Sequence, residues 1–171
     1  MDGTLAVLFL VAGLTDMGFN HCGDAGCFAR SGEQARLGLS FGDVQYQENS
    51  IDNEFYVKYD FPVAYGPFQP IVGASMTMDG DAWVGFGAAW TKNFFADRAY
   101  LRLSLMPGLY AQGDGPDLGH AIEFRSGVEL GYEGRNGVRY GVSYDHRSNA
   151  DIEEWNPGME TIQFGVSFPL N

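Results

Sequence analysis

Residues 144–160 read YDHRSNADIEEWNPGME and bring a histidine, a serine two residues later and a glutamate into one short stretch. A hydroxyl nucleophile, an imidazole base and a carboxylate that orients the imidazole are the minimum set for acyl transfer through a covalent intermediate. In that chemistry His146 takes the proton of Ser148, and Glu160 holds the imidazole tautomer and offsets the charge that develops. The tetrahedral intermediate also needs donors for its oxyanion. Asn156 is the first candidate, Asn149 the second, and the backbone N–H of Ala150 a third. A serine and a histidine two apart in a strand are common, and most such pairs are inert. Whether these groups meet depends on the elements that carry them.

From about Ala35 onward the chain repeats segments of alternating character separated by turns. A period of two is the mark of strands. Eight are expected, at 35–43, 54–62, 68–77, 82–92, 99–111, 121–133, 137–148 and 159–168. Each has one greasy face. Phe55, Val57, Tyr59 and Phe61 alternate with Tyr56, Lys58 and Asp60, while Ile122, Phe124, Val128 and Leu130 alternate with Glu123, Arg125 and Glu129. A soluble sandwich or lipocalin-like barrel would turn the apolar face inward, and an outer-membrane barrel turns it to lipid around a polar interior. Strand lengths near the ~9–11 residues of a tilted membrane strand favour the second reading. So do aromatics near strand ends (Tyr56, Tyr59, Trp83, Trp90, Tyr100, Tyr110, Tyr132 and Tyr144), read as interfacial girdles. The expected fold is therefore all-β, an eight-stranded antiparallel up-and-down transmembrane barrel filled by its own side chains rather than a pore. Arg125, Glu123, Glu129 and Arg139 are expected to form ion pairs inside it.

Asn136-Gly137 is a strong hairpin turn signal, favouring type I′. Short turns belong on the periplasmic side, which puts 44–53, 112–120 and 149–158 outside the cell as long loops. His146 and Ser148 share the parity of Val142 and Tyr144, and Glu160 shares that of Ile162 and Phe164. All three then project to the lipid face at the outer edge of the last hairpin, where facing residues lie ~4.5–5.5 Å apart between Cβ atoms. Ionisable groups on such a face are costly and tend to be functional.

The composition bounds the alternatives. With 10 Lys+Arg against 22 Asp+Glu, a net charge of −12, the 171-residue chain lacks the clustered cations that nucleic-acid binding needs. At 45% hydrophobic it is not a disordered acidic chain. No run approaches the ~20 apolar residues of a spanning helix. The longest, LAVLFLVAGL at 5–14, has the length of a signal-peptide core, and export signal, N-terminal anchor and buried helix all remain open for it. Residues 1–34 are thus set apart as a leader segment and 35–171 as the barrel. Cys22 and Cys27 have no zinc-type spacing, and a local disulfide or two free thiols both fit. His21 and His120 read as surface loop histidines. Asp151, Glu153 and Glu154 read as solvated loop charge, or as groups sharing the divalent ions that bridge lipid phosphates.

The motif His-x-Ser-Asn, followed by Asn-Pro-Gly and a glutamate two residues after that glycine, resembles the signature of the lipid A 3-O-deacylases, the PagL-type outer-membrane acyl hydrolases. His146, Ser148, Asn149, Asn156, Pro157, Gly158 and Glu160 supply each element, and the likeness is sharpest over 121–171. The resemblance implies an eight-stranded barrel in the bacterial outer membrane with Ser148, His146 and Glu160 on its outer wall. Its substrate would be lipid A of the outer leaflet, losing the ester-linked hydroxyacyl chain at the 3-position. No cofactor or metal is implied, and a homodimer is left open. The rival readings are a catalytically silent structural or adhesive barrel and a soluble ligand-carrying barrel.

Overall fold

Alternation along each strand and short turns between them leave the chain one way to satisfy its backbone, which is to pair each strand with the next and close the last onto the first. A computed structural model describes residues 3–170. Its strands are β1 (Arg30–Gly32), β2 (Arg36–Tyr46), β3 (Asn49–Asp60), β4 (Val63–Tyr65), β5 (Gln69–Thr77), β6 (Ala82–Phe94), β7 (Ala99–Ala111), β8 (Ile122–Glu133), β9 (Arg139–Ser148) and β10 (Met159–Pro169). β1 and β4 pair as a short separate ribbon, and the other eight close an antiparallel barrel in the order β10-β2-β3-β5-β6-β7-β8-β9.

The two faces decide between the barrel types. Leu130 is 63% and Phe164 58% exposed on the outer wall, whereas Glu54 is fully buried and Arg125 is 1% exposed inside. Apolar side chains outside and charges inside are the inverse of a soluble barrel. A hollow inside the barrel, about 20 Å³, is lined by charged groups such as Lys58, Arg102, Glu129 and Asp145 rather than by the apolar side chains of a soluble carrier. Arg125 donates to Glu54 at 2.9 Å and lies 3.4 Å from Asp145. Arg147 also pairs with Glu54, and Lys58 with Glu129. Arg102 meets Asp60 at 2.6 Å, and Arg139 meets Glu133 at 2.7 Å. Three of the four residues expected to pair inside thus do so. Glu123 does not: its carboxylate is buried with no hydrogen-bond partner among the described residues.

Several aromatics expected at the membrane interface belong instead to the interior. Tyr56, Trp83, Tyr100 and Tyr110 are all buried. Their parity points inward, and glycines opposite make room for them: a Cβ at Gly108 would lie 2.5 Å from the Trp83 ring. The Arg125 guanidinium stacks 3.9 Å above the Tyr56 ring, a cation–π contact that ties ring and charge together. Nearness to a strand end makes an aromatic interfacial only when its parity also points outward.

Segment 44–53, expected to be a long outer loop, is mostly strand. β2 and β3 pair out to Tyr46 and Asn49 and are joined by Gln47 and Glu48, both at positive φ, 49° and 66°. At the opposite end the hairpin turn at Asn136-Gly137 forms, but only Gly137 takes a positive φ (76°), with its N–H bonded to Gly134 O at 3.0 Å. It is therefore not the type I′ turn, which needs positive φ at both central residues.

The N-terminal segment packs on the outside of the barrel. A helix, α1 (Thr4–Asp16), continues into a π-helical turn, Met17–His21. Together they make one 18-residue apolar helix long enough to cross a membrane. Phe9 of α1 packs on Trp90 and Leu103, and the Trp90 indole donates to Asp16 at 2.9 Å. A disulfide joins Cys22 to Cys27.

Candidate active site

β9 lies between β8 and β10, so each of its outward residues has a neighbour on both sides. His146 faces Glu160 across β10 and Ser126 across β8, and Ser148 faces Phe124. The flanking residues Asp145 and Arg147 take the opposite parity and point into the ion-paired lumen. His146 and Ser148 line one outer-wall cavity of about 320 Å³ together with Leu105, Phe124 and Asn156.

His146 Nδ1 lies 3.0 Å from Glu160 Oε1. With the Nδ1 proton given to that carboxylate, Nε2 is left as an acceptor. Nε2 is buried and has no hydrogen-bond partner among the described residues, in a side chain only 4% exposed. An unsatisfied buried nitrogen costs about 1–3 kcal/mol, and its persistence calls for a reason. Ser148 Oγ, on the wall of the same cavity, does not bond to it. Catalytic contacts of this kind often tighten only once a substrate is bound.

The segment after β9 shapes the rest of the cavity. Ala150 and Asp151 both take positive φ, 53° and 61°, a costly state for non-glycine residues that surrounding structure must enforce. Asn156 enforces it, accepting from the Asn149 N–H at 3.1 Å and donating to Asp151 at 2.9 Å. Asn149 is fully buried, and its amide donates to Leu118 O at 3.2 Å and to Trp155 O at 2.9 Å. Both Asn149 amide hydrogens are thus engaged in holding loops together. The Ala150 N–H is not engaged by any described residue, and Ala150 and Asn156 both line the cavity.

Gly158, an element of the sequence motif, packs against the imidazole. Its φ is 70°, and a Cβ there would lie 2.9 Å from His146 Cε1. The glycine of Asn-Pro-Gly is therefore needed for both turn and imidazole. Gly158→Ala is expected to cost about 1 kcal/mol in stability from the strained φ and roughly tenfold or more in activity by displacing the ring. Denaturant unfolding and rate assays on the same preparation check both. Ser126 also lines the cavity, and the signal was available: a serine on the otherwise apolar outward face of β8.

The remaining candidates stand apart. His21 lies 3.7 Å from Asp16, and His120 Nδ1 accepts from the Ile122 N–H at 2.9 Å. Glu153 and Glu154 are exposed, and Trp155 donates to Asp117 O at 3.2 Å at the rim. Among the described residues no three of His, Cys, Asp or Glu are grouped as metal ligands.

Residues 36–169 match the family model described as Lipid A 3-O-deacylase (PagL). No curated protein matches the chain by sequence. Among solved structures it is similar to the outer membrane enzyme PagL, with TM-score 0.66, 17% identity and coverage of 79% of this chain and 99% of that one. A de novo designed transmembrane β-barrel matches at TM-score 0.59 and 11% identity, covering 82% and 98%. Neisserial surface protein A matches at TM-score 0.51 and 13% identity, covering 83% and 99%. At such identities these structures share the fold.

Proposed function

The chain belongs to the lipid A 3-O-deacylase (PagL) family, a family of bacterial outer-membrane barrels, and on that premise we propose that it hydrolyses the 3-O-linked hydroxyacyl ester of lipid A with Ser148, His146 and Glu160. The observation that carries this reading is the His146–Glu160 pair at 3.0 Å on the outer wall, its free nitrogen beside Ser148. The reactive groups share the outward face of the last hairpin, the face an outer-membrane barrel turns to lipid.

Ser148 Oγ attacks the ester carbonyl as His146 Nε2 takes its proton. Glu160 stabilises the imidazolium and keeps it turned toward the serine. The oxyanion is met by the Ala150 N–H and by the Asn156 amide hydrogen not used on Asp151, with Asn149 fixing the loop that presents both. His146 then returns the proton to the departing sugar hydroxyl, leaving an acyl-enzyme. Water activated by the same imidazole releases the free hydroxy fatty acid. All of these groups come from one chain, so a homodimer is not needed to complete the site.

Mass spectrometry of lipid A from a Gram-negative host expressing the protein is the test. Loss of one 3-hydroxyacyl group is expected, and unchanged lipid A around a folded barrel would sink the reading in favour of a silent one. Glu160→Gln keeps the shape but removes the charge that steadies the imidazolium. It is expected to slow turnover by roughly 10²–10⁴-fold with a smaller change in KM, as read by steady-state kinetics in mixed micelles.

A further inference from the structure

The helix α1 carries no charged residue between positions 3 and 15, and it lies against the outer wall beside the candidate site. Two hollows lie along it. The upper one, about 320 Å³, is the Ser148 cavity itself, and its remaining wall is formed by Gly3 and Ala6 of α1. The lower one, about 600 Å³, lies between Leu8 and Val11 of α1 and Leu101, Leu103 and Val128 of the barrel. No residue lines both hollows, but on the strands their linings are one outward step apart. Leu105 and Leu103 are successive outward positions of β7, as are Ser126 and Val128 of β8, each step about 7 Å. The residues α1 offers to the upper hollow, Gly3 and Ala6, are small, and Leu8 and Val11 beside the lower one are about half exposed, which leaves apolar surface there for a chain to cover.

We propose that α1 is the second wall of an acyl-chain channel: the chain to be cleaved lies between α1 and the outward faces of β7 and β8, its ester carbonyl at Ser148. This rests on the esterase reading and adds what that reading does not contain, namely that a helix outside the barrel governs which chain lengths are accepted. A chain lying on a bare barrel wall would be held on one side and mix with bulk lipid on the other. Between strand and helix it is held on two sides, which lowers the cost of ordering it. The competing groove, about 260 Å³ beside Leu130, Val142 and Ile162, has the barrel wall alone. Ala6 and Val11 are five positions apart, roughly 7.5 Å along the helix axis, so filling each should cut the channel at a different depth.

Intact mass of the membrane-extracted protein comes first: α1 is expected to be retained, and a mature chain beginning beyond Asp16 would overturn the channel. Hydrolysis of p-nitrophenyl butyrate and myristate in micelles then gives a rate ratio. Ala6→Trp is expected to lower the myristate-to-butyrate ratio by about tenfold or more, and Val11→Trp to lower it less. Unchanged ratios in both variants, with the barrel folded by circular dichroism, would refute the proposal. A third measurement does not depend on turnover. Ser148→Ala protein is irradiated with a myristoyl ester bearing a diazirine at its methyl end, and crosslinks are expected on Leu8 or Val11. Crosslinks confined to Leu130, Val142 and Ile162 would place the chain in the competing groove. If the wild-type protein leaves lipid A unchanged in the expressing host while crosslinks fall on α1, the esterase reading fails and the channel stands.

Discussion

Ser148→Ala is expected to lower the rate of lipid A 3-O-deacylation by roughly 10³–10⁶-fold, with the barrel intact. On the proposed mechanism the substitution removes the attacking oxygen, and the other described serine of the cavity does not replace it: Ser126 faces His146 from β8, where its hydroxyl bonds weakly to the His146 carbonyl at 3.5 Å. His146→Ala should fall to the same level, since a base without a nucleophile and a nucleophile without a base are equally useless. The double variant should be no worse than either single one, because residues that act as a unit are not additive. Release of 3-hydroxy fatty acid in single-turnover experiments separates this from weakened binding. A variant that kept more than a tenth of the rate would remove Ser148 from the mechanism.

Parity made much of this legible. A period of two says which residues share a face, so the outward placement of His146, Ser148 and Glu160 followed from counting, as did the inward ion pairs of Arg125 and Glu129. Where the reading failed, the determinant was not periodic. Trp83 sits near the start of β6, and Tyr56 near the start of the strand expected at 54–62, although β3 begins at Asn49 and leaves it mid-strand. Both side chains fill space left by glycines on neighbouring strands, which depends on register between strands. The turn at Gln47 and Glu48 carries no glycine to announce it, so the polar ends of β2 and β3 read as loop in the sequence. The engagement of Asn149 by Leu118 and Trp155 depends on contacts between two loops, 31 residues apart for the first of them. The helix α1 was visible as an apolar run, but no feature of the run itself says that it packs beside the site.

The second large effect is expected inside the barrel, at Glu54. This carboxylate is fully buried and receives Arg125 at 2.9 Å, Gln163 at 2.7 Å and Arg147. Replacing it with leucine leaves two buried guanidinium groups short of their main counter-charge, and removing one partner of a buried pair costs about 3–5 kcal/mol. Asp145, 3.4 Å from Arg125, offsets part of this; Arg147 has no second carboxylate at that range among the described residues. Glu54→Leu should therefore unfold at clearly lower denaturant in micelles, with the slope preserved if the transition stays two-state. Catalysis should suffer too, because Arg147 stands between His146 and Ser148 on β9, and loosening its anchor moves the strand that spaces them. Glu123 gives the control of opposite sense. It is buried in the same lumen without a hydrogen bond and is attracted only at longer range by Arg147, so Glu123→Gln breaks no hydrogen-bonded ion pair and should cost less than about 1 kcal/mol. The two variants change one carboxylate each at similar burial. If they shifted the unfolding midpoint equally, the pairing of Glu54 with Arg125 and Arg147 would add no stability, and the ion-pair account of the lumen would be wrong.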